Sequence, residues 1–234
     1  MDKRRVKPLA VVSLLLVLSF AGGYLAAPSL QRERAKSVAV SEPSSYWLEK
    51  KSFFETFGAR ASVVMVGDSL IDGAEWEEMF PGVTVVNRGV DGDTTAGVLR
   101  RMEGIVSVRA RKAFVMIGIN DFKEDRSVDA VFRDYRSIVS QLSESGTKVF
   151  VLSTLMCNEA KAGWIACAAL QGKIRELNQR LAGLASADVA FIDINAGLAG
   201  DGGLKAELSH DGVHLNGEGY RIWKGEISKF VLAD

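Results

Sequence analysis

The chain contains two histidines, His210 and His214, and Asp211 lies three residues before the second. A carboxylate at that spacing can reach the imidazole within one turn of backbone, fix its tautomer and stabilise the imidazolium. An imidazole held this way is a general base. The group it serves is a hydroxyl, a poor nucleophile until its proton is taken. Ser69, in the run Gly67-Asp68-Ser69-Leu70, is the candidate hydroxyl. Ser69, Asp211 and His214 would then form a triad suited to acyl transfer, in the chain order Ser, Asp, His. The backbone N–H of Ser69 is a first candidate donor to the oxyanion that develops on the attacked carbonyl. The Gly-x-Ser-x-Gly elbow of α/β-hydrolases is missing, which argues against that fold.

The same residues admit other readings. His210 could be the base, or simply a surface residue. His210 and His214 stand four apart, a helical metal-ligand spacing, and with Asp211 they could hold Zn2+. Gly212 weakens that helix, and no further ligand cluster follows. Asp91 and Asp93 sit in a loop with too few oxygen ligands for a Ca2+ hand. Neither a Walker lysine motif nor a dinucleotide glycine fingerprint occurs. The expectation is an enzyme with no metal and no organic cofactor.

These residues need elements to hold them. Apolar, β-branched runs at residues 62–66, 83–87, 113–117, 148–153 and 189–192 read as strands buried on both faces of a parallel sheet. Helical spacing falls between them, at residues 74–80, 94–103 (with Asp93 as N-cap), 128–145, 168–186 and 216–232. Strand and helix alternate, which predicts an α/β three-layer sandwich with a mainly parallel five-stranded sheet. Ligands bind at the carboxyl ends of such strands, and the polar clusters follow those ends. They are Gly67-Asp68-Ser69-Leu70, then the run from Asn87 to Thr95, then Gly118-Ile119-Asn120-Asp121. Asp211-Gly212-Val213-His214-Leu215-Asn216 lies near the C-terminus.

Four such clusters in this order resemble the signature blocks of the SGNH (GDSL-type) hydrolase family, from about residue 62 to 222. The segment after the second strand is similar to that of the platelet-activating-factor-acetylhydrolase and lysophospholipase/thioesterase types. The resemblance implies a flavodoxin-like SGNH fold and a serine esterase. It adds two oxyanion donors to Ser69: the backbone of Gly92, with Gly89 its less favoured neighbour, and the side-chain amide of Asn120.

The loop after the fourth strand runs Leu155-Met156-Cys157-Asn158, then Trp164 and Cys167. Its start at a strand's carboxyl end puts it at the border of the site. Trp164 could stack on a sugar, pack on an acyl chain, or fold into its own loop. Cys157 and Cys167, the two cysteines of the chain, are expected to form a disulfide in an oxidising compartment, against the alternative of two free thiols. Closing so short a loop is worth about 2–3 kcal/mol.

Export is expected from the N-terminus. Residues 9–27 carry no charge and, as a helix, would span about 28 Å, close to a bilayer's hydrocarbon core. Lys3, Arg4, Arg5 and Lys7 precede them, so the start of the chain would stay cytoplasmic. Residues 1–27 therefore read as a signal anchor in the inner membrane, in preference to a cleaved signal peptide that would leave the protein secreted. Residues 28–45 read as a tether, and 46–234 as the hydrolase domain in the periplasm or outside. A formal net charge of zero, with 25% charged residues, gives no basic face for nucleic acid. The partner is instead an ester substrate: short-chain O-acetyl groups on envelope or secreted carbohydrate, with longer acyl lipids as the alternative. Three rivals remain: an O-acyltransferase using the same triad, a catalytically silent glycan-binding module, and an envelope scaffold.

Overall fold

The computed structural model describes residues 42–233. The expected membrane segment, residues 9–27, and the tether up to residue 41 lie outside the described residues. Among the described residues no helix is long and apolar enough to cross a membrane.

The chain opens with α1 (Ser45–Thr56), capped by the hydroxyl of Ser44 on the Trp47 N–H. Then come β1 (Val63–Gly67), α2 (Ser69–Asp72), α3 (Trp76–Met79) and β2 (Val85–Gly89), followed by α4 (Thr95–Leu99), α5 (Met102–Val106) and β3 (Lys112–Met116). The second half holds α6 (Ile119–Lys123), α7 (Val128–Glu144), β4 (Lys148–Leu152), α8 (Cys167–Ala182) and β5 (Val189–Ile192). It ends in α9 (Asn195–Leu198), a two-residue ribbon β6–β7 (Ala199–Gly200 with Gly203–Leu204) and α10 (Gly217–Leu232).

Strands β1 to β5 form one sheet in the order β2-β1-β3-β4-β5, every neighbouring pair parallel. Side chains alternate across a strand with period two, and the two faces of this sheet each feed a core. Val64, Val66, Ala113, Val115, Val149 and Val151 pack on one side with Val131, Ile138 and Leu142 of α7 and Ile174 and Leu177 of α8. Val63, Met65, Phe114, Met116, Phe150 and Leu152 pack on the other with Trp223 and Ile227 of α10. That is the expected three-layer sandwich. Its long helices show the expected spacing: α7 buries Val128, Val131, Tyr135, Ile138, Val139 and Leu142. Each large apolar side chain buried there contributes about 1.5–3 kcal/mol.

Three local expectations are corrected. Residues 94–103 are not one helix: α4 ends at Leu99, and α5 starts at Met102. The break falls at Arg101, whose buried guanidinium turns inward to Asp93 and to the carbonyl oxygens of Arg88 and Gly67. Asp93 is not the N-cap; Thr94 is, its hydroxyl accepting from the Gly97 N–H. Residues 74–80 hold only the one turn of α3, and α2 precedes it across Gly73. Helix α1 was not anticipated. Its signal in the sequence was slight: Ser44 as a cap, and the buried pair Trp47 and Phe54, two turns apart.

Candidate active site

Ser69 is the first residue of α2, immediately after the carboxyl end of β1. Asp68 caps that short helix, its Oδ1 accepting from the Leu70 N–H at 3.1 Å. From the other end of the domain, the segment between a 3-10 turn (Ala206–Leu208) and α10 brings in Asp211 and His214. The N–H at His214 Nδ1 donates to Asp211 Oδ2 at 2.6 Å. This leaves Nε2 free to accept from the Ser69 hydroxyl, 2.9 Å away across 145 residues of sequence.

Asp211 is also held by its own backbone: Oδ1 accepts from the N–H groups of Val213 and His214 at 2.9 and 2.8 Å. Partial burial alone would raise its pKa. The hydrogen bonds from the His214 ring and from these two N–H groups outweigh burial and hold it down at about 2. The carboxylate is thus charged wherever the imidazole needs a partner. His210 is exposed and lies outside the cavity lining; His214 is the histidine that meets Ser69.

Ser69 and His214 open onto a cavity of about 380 Å3 that is also lined by Gly92, Asn120, Lys123 and Trp164. Three donors meet there. The backbone N–H groups of Ser69 and Gly92 have no acceptor among the described residues. Asn120 spends one hydrogen of its amide on the Asp93 carbonyl oxygen at 3.0 Å, which aims the side chain and leaves the second hydrogen over. Gly92 has φ +71°, a left-handed conformation that a side chain would strain, and a Cβ there would stand in open space. Cys157 and Cys167 form a disulfide. Trp164, 48% exposed, lies parallel to the His214 ring, centroids 5.9 Å apart, and donates from Nε1 to the Asp211 carbonyl oxygen at 3.3 Å.

Beneath the site lies a network that the sequence did not reveal. Asp93, next to Gly92, accepts from Trp47 Nε1 at 2.9 Å, from the Thr94 N–H at 2.9 Å and from Arg101 Nε at 2.7 Å. Burial pushes its pKa up, opposed by Arg101. Asp121, next to Asn120, accepts from the N–H and hydroxyl of Thr95 at 2.9 and 2.6 Å and pairs with Arg126. Asp72, at the end of α2, accepts from Tyr46 and Lys50 of α1 at 2.6 and 2.7 Å. The loops that bring Ser69, Gly92 and Asn120 are therefore each fastened by a carboxylate one to three residues away. Asp68, beside Ser69, is held differently. It is fully buried, its Oδ2 has no hydrogen-bond partner among the described residues, and burial, with Asp93 and Asp121 nearby, pushes its pKa up to about 7 against the bond from Leu70.

Among the described residues no group of three or more His, Cys, Asp or Glu is placed to hold a metal ion. In comparisons with known proteins, a family model described as the GDSL-like Lipase/Acylhydrolase family matches residues 65–222. The N-acylneuraminate cytidylyltransferase of Streptococcus agalactiae serotype V is 25% identical over 200 residues, 82% of this chain and 44% of that protein, so the chain spans less than half of that relative's length. The platelet-activating factor acetylhydrolase IB subunit alpha2 of Rattus norvegicus is 28% identical over 169 residues, 68% of this chain and 70% of that one. A solved acetylxylan esterase from Geobacillus stearothermophilus shares the fold, with a TM-score of 0.58 at 17% identity over 76% of this chain and 97% of that chain. The matched family span encloses Ser69, Gly92, Asn120, Asp211 and His214, and the chain belongs to the GDSL-like lipase/acylhydrolase family.

Proposed function

We propose that the protein is a serine esterase that removes short acyl groups, chiefly O-acetyl, from envelope or secreted carbohydrate through an acyl-serine intermediate. The observation that carries this reading is the relay from Ser69 Oγ to His214 Nε2 at 2.9 Å and from His214 Nδ1 to Asp211 Oδ2 at 2.6 Å, opening onto one cavity with Gly92 and Asn120. Ser69 attacks the ester carbonyl as His214 takes its proton. The oxyanion rests on the N–H groups of Ser69 and Gly92 and on the Asn120 amide. His214 passes the proton to the departing alcohol, and water, activated by the same imidazole, then cleaves the acyl-enzyme.

The small acyl group is supported by a modest cavity with polar residues, Asp91, Asn120 and Lys123, in its lining. A relative that is an acetylhydrolase and a neighbour that acts on acetylxylan point the same way. The His214 side chain is 42% exposed, so water can reach the acyl-enzyme. We also propose export, with residues 9–27 as the membrane anchor; the disulfide, a bond of oxidising compartments, supports it. The test is to label the protein with a fluorophosphonate, map the label by mass, and measure a chain-length series of nitrophenyl esters. The expected result is a label on Ser69, its loss in Ser69→Ala, and highest kcat/KM for acetate. A label elsewhere removes the mechanism, and a preference for eight carbons or more moves the substrate to lipid.

A further inference from the structure

The segment from Cys157 to Cys167 crosses over the chain that carries Asp211 and His214, and it is bonded to that chain along its length. The Asn158 N–H donates to the Gly212 carbonyl oxygen at 2.7 Å, and Asn158 Nδ2 to that of Leu204 at 2.6 Å. Lys161 Nζ donates to the carbonyl oxygens of Ala206 and Ser209 at 2.6 and 3.0 Å. Gly212, at φ +84°, passes so close beneath that a Cβ would lie 2.5 Å from the Ala162 nitrogen. Trp164 completes the contact. Its ring is parallel to that of His214 within 2°, centroids 5.9 Å apart, and its N–H reaches the Asp211 carbonyl oxygen. The Lys123 ammonium stands over the indole, 5.1 Å from its centroid.

Trp164 is one of the most exposed large apolar side chains in the domain, so burial in the core does not hold it. Its ring pairs with the His214 ring and the Lys123 ammonium. An indole plane parallel to the imidazole and offset from it limits ring rotation, which keeps Nε2 toward Ser69. The indole is in turn placed by the loop, and the loop is closed at both ends by buried sulfurs: Cys157 just beyond β4, and Cys167 as the first residue of α8. Closing a short loop removes most of its conformational freedom.

We propose that this disulfide-closed loop is a strap that positions the Asp211–His214 pair, with Trp164 as the positioning residue, so that turnover depends on the intact disulfide. The inference rests on the esterase reading above. The full chain, oxidised, is compared with Trp164→Ala, Trp164→Phe and the Cys157→Ser/Cys167→Ser double variant, using kcat and KM on nitrophenyl acetate and the rate of fluorophosphonate labelling. Wild type is also treated with a dithiol, which delivers two electrons and two protons, leaves two cysteine thiols and becomes a cyclic disulfide itself. The expected result is a kcat about tenfold lower in Trp164→Ala with KM within twofold, slower labelling, and most of the activity restored in Trp164→Phe. Reduced wild type and the double cysteine variant should fall in kcat in the same way, with far-UV circular dichroism unchanged. A raised KM with unchanged kcat in Trp164→Ala makes the indole a substrate platform and overturns the strap. Unchanged kcat after both thiols are counted as free does the same. If oxidised wild type takes no label at Ser69, the esterase reading fails, and the strap falls with it.

Discussion

The indole N–H of Trp47 donates to Oδ1 of Asp93 at 2.9 Å, across 46 residues of sequence, joining the first helix of the domain to the loop that holds Gly92. Asp93 is buried, as is Arg101, which pairs with its other oxygen. Its backbone carbonyl aims Asn120. Asp93 thus bears on two of the three proposed oxyanion donors, standing next to Gly92 and holding the Asn120 amide with its backbone carbonyl, while its carboxylate ties α1 to the same loop.

Replacing Trp47 by Phe keeps most of the packing and leaves Asp93 Oδ1 with one donor fewer. Stability should fall by about 1–3 kcal/mol, the cost of a buried acceptor losing a charge-assisted partner. kcat should fall with it, while KM changes little. Urea denaturation and steady-state kinetics on nitrophenyl acetate would check both, and an unchanged kcat would separate α1 from the site.

Asn120→Ala removes a donor without touching the nucleophile. Loss of one oxyanion donor costs about 3 kcal/mol of transition-state stabilisation, so kcat should drop about a hundredfold or more. Labelling of Ser69 by a fluorophosphonate should persist at a reduced rate. Asn120→Ala with wild-type kcat would place the oxyanion elsewhere.

Asp68 makes a prediction about pH. Its folded pKa, about 7, lies above the ordinary carboxylate value because burial disfavours the charged form and Asp93 and Asp121 stand nearby. A raised pKa favours the folded state at low pH, and that contribution is lost as pH rises from about 4 toward 7. Asp68→Asn keeps an acceptor for the Leu70 N–H and cannot ionise. Its stability relative to wild type should therefore improve across that window, at up to roughly 1.4 kcal/mol per pH unit, as read from denaturation midpoints at pH 4, 5, 6 and 7. A flat difference would mean Asp68 is charged throughout.

Asp211 should behave in the opposite sense. Its folded pKa of about 2 lies below the ordinary value, so its contribution is present above pH 4 and fades as pH falls toward 2. Acidification in that range should destabilise wild type more than Asp211→Asn, a small effect at so exposed a group. At neutral pH, Asp211→Asn should cost kcat by about 10^2–10^4, since the imidazole loses the partner that fixes its tautomer. Kinetics at pH 7 and thermal melts from pH 2 to 5 would measure the two effects.

Much of this was legible in the chain because it is local. The five strands announce themselves as short apolar runs, and α7 by the spacing of its buried residues. Asp211 and His214 are three residues apart, close enough for backbone geometry alone to bring carboxylate and ring together. Cys157 and Cys167 are the two cysteines of the chain, so a disulfide within it could join only them. What tertiary structure alone decided is longer in reach: the 145-residue span from Ser69 to His214, the inward turn of Arg101 that breaks a helix in two, the bond from Trp47 to Asp93, and the seat of Trp164 on His214. Periodicity reports which face of an element is apolar, because the chain's own geometry sets it. Which buried charge meets which partner depends on where packed elements from distant parts of the chain come to rest, and no local pattern records that.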